Sequence, residues 1–96
     1  MGTKERLLAD HERLKNFSFT PEDVELLKRH HEEEERFFEE HAAVLGGDGE
    51  LSPLEMVRRE HRLLLELLER GERELFLDLL RYHLHKEETQ IYAMLD

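Results

Sequence analysis

Seven histidines stand in a chain of 96 residues, and three of them precede a glutamate by one helical turn, among them His30 before Glu34 and His83 before Glu87. Side chains at i and i+4 project from one side of a helix, so each pair can reach a common point. Imidazole and carboxylate together suit iron, manganese or zinc, and the interior of a helical bundle is where such sites are built. His31 and Glu35 repeat the spacing, which shows how readily one pair arises on an acidic helix. There is no cysteine, so thiolate metal sites and thiol chemistry are excluded.

Three interruptions define the elements that must carry these residues. Around Phe17-Ser18-Phe19-Thr20-Pro21-Glu22-Asp23, Thr20 can cap a helix, Pro21 suits its first position, and Asp23 sits where a capping-box acid would. The stretch from Gly46 to Glu55 has glycines to end one helix and Ser52, Pro53 and Glu55 to begin another. Its Asp48-Gly49-Glu50 turn lacks the spaced acids of a calcium loop. Gly71 is a single breaker between two Leu-rich stretches. The spacing therefore predicts helices over 3–16, 21–45, 53–70 and 72–95. Apolar residues recur three and four apart, as in Leu7 and Leu14, Leu27 and Phe38, Leu54, Val57, Leu64 and Leu68, and Phe76, Leu80 and Met94. No stretch alternates with period two. Short connections favour antiparallel neighbours, so the expected fold is an all-α, up-down-up-down four-helix bundle with an interior metal site, one domain spanning 1–96.

Several histidines fall on those apolar stripes. His11 lies between Leu7 and Leu14, and His61 between Val57 and Leu64/Leu65. Leu27, His30, Glu34, Phe37 and His41 share a face of the second helix, and Phe76, Leu80, His83, Glu87, Ile91 and Met94 a face of the fourth. His85 sits with Asp78, Arg81 and Thr89 and reads as exposed. A lone core histidine is more often a hydrogen-bonded structural residue than a ligand, but a carboxylate in a core is costly unless paired or coordinated. A longitudinal test links the four helices. Halfway between His11 and His30 lies Thr20-Pro21, halfway between His30 and His61 lies the flank of Gly46, and halfway between His61 and His83 lies the flank of Gly71. Four histidines from four antiparallel helices thus meet at one level, with Glu34 and Glu87 near it.

These residues also carry a family likeness. The chain resembles the hemerythrin-like, or HHE cation-binding, domain over nearly its whole length, in a shortened form. The likeness rests on Asp10-His11-Glu12-Arg13-Leu14, His30-His31-Glu32-Glu33-Glu34-Glu35, Met56-Val57-Arg58-Arg59-Glu60-His61 and the stretch from His83 to Tyr92. The last is similar to the family's His-x3-Glu-Glu-x2-Leu-Phe-Pro motif, although Ala93 stands where the proline would be. The resemblance implies a non-haem site of two iron ions, oxo- or hydroxo-bridged, with zinc or manganese as alternative metals. It implies His11, His30, His61 and His83 as terminal ligands and Glu34 and Glu87 as bridging carboxylates. The partner expected one turn after the third-helix histidine is Leu65 here. Of the family's usual seven ligands that leaves six, with His31 the candidate for the seventh and Glu32, Glu35 and His41 its rivals.

The expected function is accordingly binding of dioxygen or a related small molecule, for oxygen binding, sensing or iron handling. An enzyme turning over peroxide, nitric oxide or ferrous iron is the alternative on the same scaffold, with Tyr82 and Tyr92 as packing residues able to donate a hydrogen bond or electron. An interaction module with a structural metal is the third reading, although the run Glu32 to Glu35 reads first as a solvated face. The formal charge of −10, from 24 acidic and 14 basic residues, argues against a nucleic-acid partner. No apolar run approaches the roughly 20 residues that span a bilayer, and the N-terminus has no signal-peptide pattern, so no membrane association and a cytoplasmic location are expected. Phe17, Phe19 and the Leu63-Leu64-Leu65/Leu67-Leu68 surface exceed what one small core should bury, which predicts a homodimer.

Overall fold

The computed structural model describes residues 2–47, 49 and 52–95. Asp48, Glu50 and Leu51 of the second interruption, and the terminal Met1 and Asp96 of the expected domain, lie outside the described residues. Four α-helices form, α1 (Thr3–Leu14), α2 (Pro21–Glu40), α3 (Pro53–Glu69) and α4 (Arg73–Lys86). A π-helical turn, Glu87–Ile91, and a 3-10 turn, Tyr92–Leu95, extend α4, and no strand occurs among the described residues. The radius of gyration is 13.0 Å, as for a compact chain of about 100 residues.

The helix starts follow the expected chemistry. Thr20 Oγ1 accepts from the Asp23 N–H at 3.1 Å and Ser52 Oγ from the Glu55 N–H at 3.2 Å, with Pro21 and Pro53 in the first turns. Asp23 bonds chiefly to Ser18 rather than back to Thr20 as a capping-box acid would. Its carboxylate accepts from both the backbone N–H and the hydroxyl of Ser18, each at 2.8 Å, and these bonds hold it below the usual carboxylate range. At Gly71, with φ +73°, the Glu72 N–H returns to the Leu67 carbonyl and the Gly71 N–H to Leu68, a Schellman ending that favours a left-handed glycine.

Several boundaries differ from expectation, the largest shift being at α4, which ends at Lys86 rather than 95. α2 ends at Glu40 rather than 45, and α1 at Leu14 rather than 16. Beyond Glu40 the backbone tightens into i→i+3 bonds, His41 N–H to Phe38 and Ala42 N–H to Glu39, and closes with Gly47 N–H to Ala42 across Gly46 at φ +86°. The chain keeps coiling, so Leu45 is still delivered to the core. The shift at α4 concerns its far end. The π turn advances the register by one residue, burying Tyr92 at 2% exposure and turning Met94, expected in the core, outward at 49%.

Apolar side chains gather in two clusters. One holds Leu14, Phe17, Leu26, Leu27, Leu64, Phe76, Leu80 and Leu84. The other holds Leu7, Phe38, Leu45, Leu54, Val57, Ile91 and Tyr92. Each helix feeds one cluster from one end and the other from the other, and the interior histidines and glutamates fall between. Phe17 is buried against Phe19 and Phe76, and of the Leu-rich surface only Leu63 is exposed while Leu64 is fully buried. Phe17 and Leu64 are therefore covered within the chain itself.

Candidate metal centre

The polar layer lies between the two apolar clusters, where each helix turns the same face inward. His11 follows Leu7 by one turn on α1, His30 and Glu34 lie between Leu27 and Phe38 on α2, His61 follows Val57 on α3, and His83 and Glu87 lie between Leu80 and Ile91. All six are at most 2% exposed. They form two groups of four, His11, His30, Glu34 and Glu87, and Glu34, His61, His83 and Glu87. Within each group one ligand atom per residue lies within 4.8 Å of every other. Both carboxylates belong to both groups.

The carboxylate oxygens divide between the histidine pairs. Glu34 Oε2 lies 3.1 Å from the Nε2 atoms of both His11 and His30, and Glu34 Oε1 3.0 Å from His61 Nε2. Glu87 Oε1 lies 3.3 Å from His11 Nε2, while its Oε2 lies 3.0 Å from His83 Nε2 and 3.6 Å from His61 Nε2. Each carboxylate thus offers one oxygen to each pair. The Glu87 contacts are close but lack hydrogen-bond direction, so both Glu87 oxygens and His83 Nε2 are buried without a hydrogen-bond partner. Buried polar atoms are rarely left so. Lone pairs that converge without pairing are suited to a cation, and the donor set fits one or two metal ions.

The outward nitrogens are equally ordered. His30 Nδ1 meets Asp10 at 3.2 Å, His61 Nδ1 meets Glu35 at 2.8 Å, His83 Nδ1 meets Glu60 at 2.7 Å and His11 Nδ1 meets Glu88 at 3.0 Å. An ionised carboxylate only accepts, so each Nδ1–H donates and each Nε2 is turned inward. The four links run from α1 to α2, α2 to α3, α3 to α4, and from the π turn after α4 back to α1, a closed circuit. A cation stands beside each outer acid: Arg29 at 3.9 Å from Asp10, Arg58 at 3.8 Å from Glu35, Lys15 at 3.4 Å from Glu88, and Lys86 in contact with Glu60. Such outer carboxylates orient imidazoles and raise their strength as ligands. No protein-family model, curated protein or solved structure matches the chain.

The cluster is strongly self-charging. Burial opposes charge on His11, but the Glu34 and Glu87 carboxylates outweigh it and raise the imidazole to about 10. Burial likewise opposes charge on His61 and His83, and both are raised, His61 by Glu34, Glu35 and Glu87 and His83 by Glu87 and Glu60. Burial pushes Glu34 up, yet the surrounding His30, His11 and His61 hold it well below its ordinary value. Glu87 is pushed up by burial and by Glu34, and still falls because of His83, His11 and His61.

Six of the seven residues singled out from the sequence therefore come together, and His31 does not join either group. It is buried, stacked on the His61 ring at 3.7 Å and 6°, with Nδ1 lacking a partner, and burial lowers its imidazole well below the ordinary range. Of the rivals, Glu32 is exposed, His41 closes the end of α2 by donating to the Phe37 carbonyl at 2.9 Å, and Glu35 is an outer acid. His85 is exposed, as expected. Tyr92 is more than packing, because its hydroxyl donates to Glu34 Oε2 at 2.6 Å. Asp10, Glu60 and Glu88 were not anticipated. Their signal was adjacency: each outer acid is the chain neighbour of one of the six inner residues, in Asp10-His11, Glu34-Glu35, Glu60-His61 and Glu87-Glu88.

Proposed function

We propose that the chain is a non-haem diiron protein of the hemerythrin-like kind, an up-down-up-down four-helix bundle that binds dioxygen or a related small molecule. One observation carries this reading: Glu34 and Glu87 each offer one oxygen to each of two histidine pairs, which is what two ions sharing two carboxylates require. The bundle arrangement is supported by partners that fall in one helix as they rise in the next, Arg6 with Glu33 then Asp10 with His30, and Glu39 with Arg58 then Glu35 with His61.

Each position has two imidazoles and two carboxylate oxygens. Four protein donors complete a tetrahedral zinc site but leave exchangeable positions on iron, which also accepts mixed imidazole and carboxylate ligation. Two divalent ions exceed the two inner carboxylates by two charges, and the outer acids are already matched by Lys15, Lys86, Arg29 and Arg58. The remaining charge would favour binding of a small anion at the site. Iron would supply the reduction and binding of dioxygen. The chain's own residues gather the ions, fix the imidazoles through the outer acids and exclude bulk water with the apolar clusters on either side.

Metal analysis with an ultraviolet-visible spectrum of the aerobically purified protein tests this. Two irons per chain with charge-transfer bands are expected, retained in His85→Ala and lost in Glu34→Ala and Glu87→Ala. Protein that carries no metal and ignores chelators, or a His85→Ala variant that alone loses iron, would contradict it. An enzyme on the same site is the second reading, favoured by the small number of protein donors at each position. Rapid consumption of peroxide with no stable oxygenated spectrum would select it.

A further inference from the structure

We infer that the two metal positions are unequal, that Tyr92 makes them so, and that the first ion enters between His61 and His83. The inference rests on the dinuclear reading above and goes on to assign an order of filling.

The chain supplies the site as two matching halves. Asp10-His11 with His30-x3-Glu34-Glu35 corresponds to Glu60-His61 with His83-x3-Glu87-Glu88. The inner donors of the two positions are therefore identical in kind, two Nε2 atoms and one oxygen from each glutamate. The outer acids match too, one backed by an arginine and one by a lysine on each side: Arg29 and Lys15 serve the His11–His30 position, Arg58 and Lys86 the other. On these parts the two positions match donor for donor.

The halves differ after their second glutamate. Following Glu34-Glu35 the first half stays α-helical to Glu40. Following Glu87 the second half makes the π turn, with the Tyr92 N–H bonded to the Glu87 carbonyl. The extra residue in that turn swings Tyr92 inward over His11, ring centroids 5.5 Å apart at 85°. Its hydroxyl meets Glu34 Oε2, the oxygen shared with His11 and His30. Among the described residues no hydroxyl meets Glu34 Oε1 or either Glu87 oxygen. His31, on the other side, touches His61 only face to face.

A carboxylate oxygen that accepts a short phenolic hydrogen bond has given one lone pair and part of its charge to that donor. It is a weaker ligand for a cation, or the cation must displace the phenol. A hydrogen bond to a charged group has the strength to separate the two affinities by roughly tenfold or more. The π turn, which interrupts the α-helix at the ligand Glu87 itself, is the device that introduces this difference.

Cobalt(II) titrated into chelator-treated protein tests the order. The Nδ1–H protons held by the outer acids report on each histidine by NMR. The first equivalent should shift the His61 and His83 ring protons, and the second those of His11 and His30. In Tyr92→Phe the two steps should converge to within about threefold. A first equivalent that divides evenly, or that enters between His11 and His30, would overturn the inference, as would a Tyr92→Phe variant whose steps stay apart. If that variant does not fold, the wild-type assignment still decides. Absence of any cobalt binding would overturn the dinuclear reading itself and this inference with it, a result distinct from two equal steps.

Discussion

Stability should fall as pH rises above neutrality when the site holds no metal, and should not when it does. His11, His61 and His83 are all raised in the folded chain, His11 from 6.5 to about 10. A raised histidine contributes stability that is complete below its unfolded value and lost as pH climbs through its folded value. For His11 the loss between about pH 6.5 and 10 is on the order of 5 kcal/mol, close to 1.4 kcal/mol per pH unit. His61 and His83 lose stability in the same direction. Glu34 and Glu87 are lowered, so their contribution is present above about 4.5 and disappears only as pH falls below it. Buried His31 is lowered, so it costs stability as pH falls below about 6.5, and chelator-treated protein should be most stable near pH 6.5. For a domain of this size each kcal/mol moves the midpoint by roughly 4–8 °C, so Tm should drop by at least about 5 °C per unit between pH 7 and 9. Metal removes this slope. Ions take the place of protons on the raised imidazoles, so binding releases protons and tightens as pH rises, and the loaded protein should be nearly flat above about pH 6.5. Thermal unfolding followed by circular dichroism at several pH values, with iron or with chelator, reads both slopes. A chelator-treated Tm that is flat or rises from pH 7 to 9 would refute the pairing of protonated imidazoles with Glu34 and Glu87.

Glu35→Gln and Glu88→Gln, each removing the charge behind one imidazole, should weaken metal binding by about 10- to 100-fold with little change in helicity, read by competition with a chromophoric chelator. Gly71→Ala should cost about 1–2 kcal/mol, because the position has φ +73° while the space around it is open; denaturant unfolding measures it, and a neutral result would contradict the turn assigned there. Phe76→Ala empties the contact with Phe17 and Phe19 at a fully buried site and should cost about 3–5 kcal/mol in the same assay.

Much of the inner site was legible because burying a charged or polar side chain on an apolar stripe demands a reason. His11, His30, His61 and His83 interrupt hydrophobic faces, and the turns at Thr20-Pro21, Gly46 and Gly71 set them at one level. The outer acids were harder to see. Asp10, Glu60 and Glu88 sit among 24 acidic residues, so only their adjacency to inner residues sets them apart, and their partners appear only once the neighbouring helix is in place. His31 lies about 100° around α2 from His30, so it faces α3 and stacks on His61 rather than pointing at the centre. Tyr92 and Met94 exchanged places because an α-helical period was carried through Glu87–Ile91, where the backbone bonds run i→i+5. No proline or glycine marks that turn. Its effect is visible only in the partner it creates, the hydrogen bond from Tyr92 to Glu34.

Anomalous scattering from crystals grown with iron, collected at the iron edge, tests the central claim most directly. Two peaks within about 4 Å of each other are predicted, one against His11 and His30, one against His61 and His83, with Glu34 and Glu87 reaching both. A single peak away from Glu34 and Glu87, or an iron-free polar layer whose imidazoles stay hydrogen-bonded to the two glutamates, would contradict it.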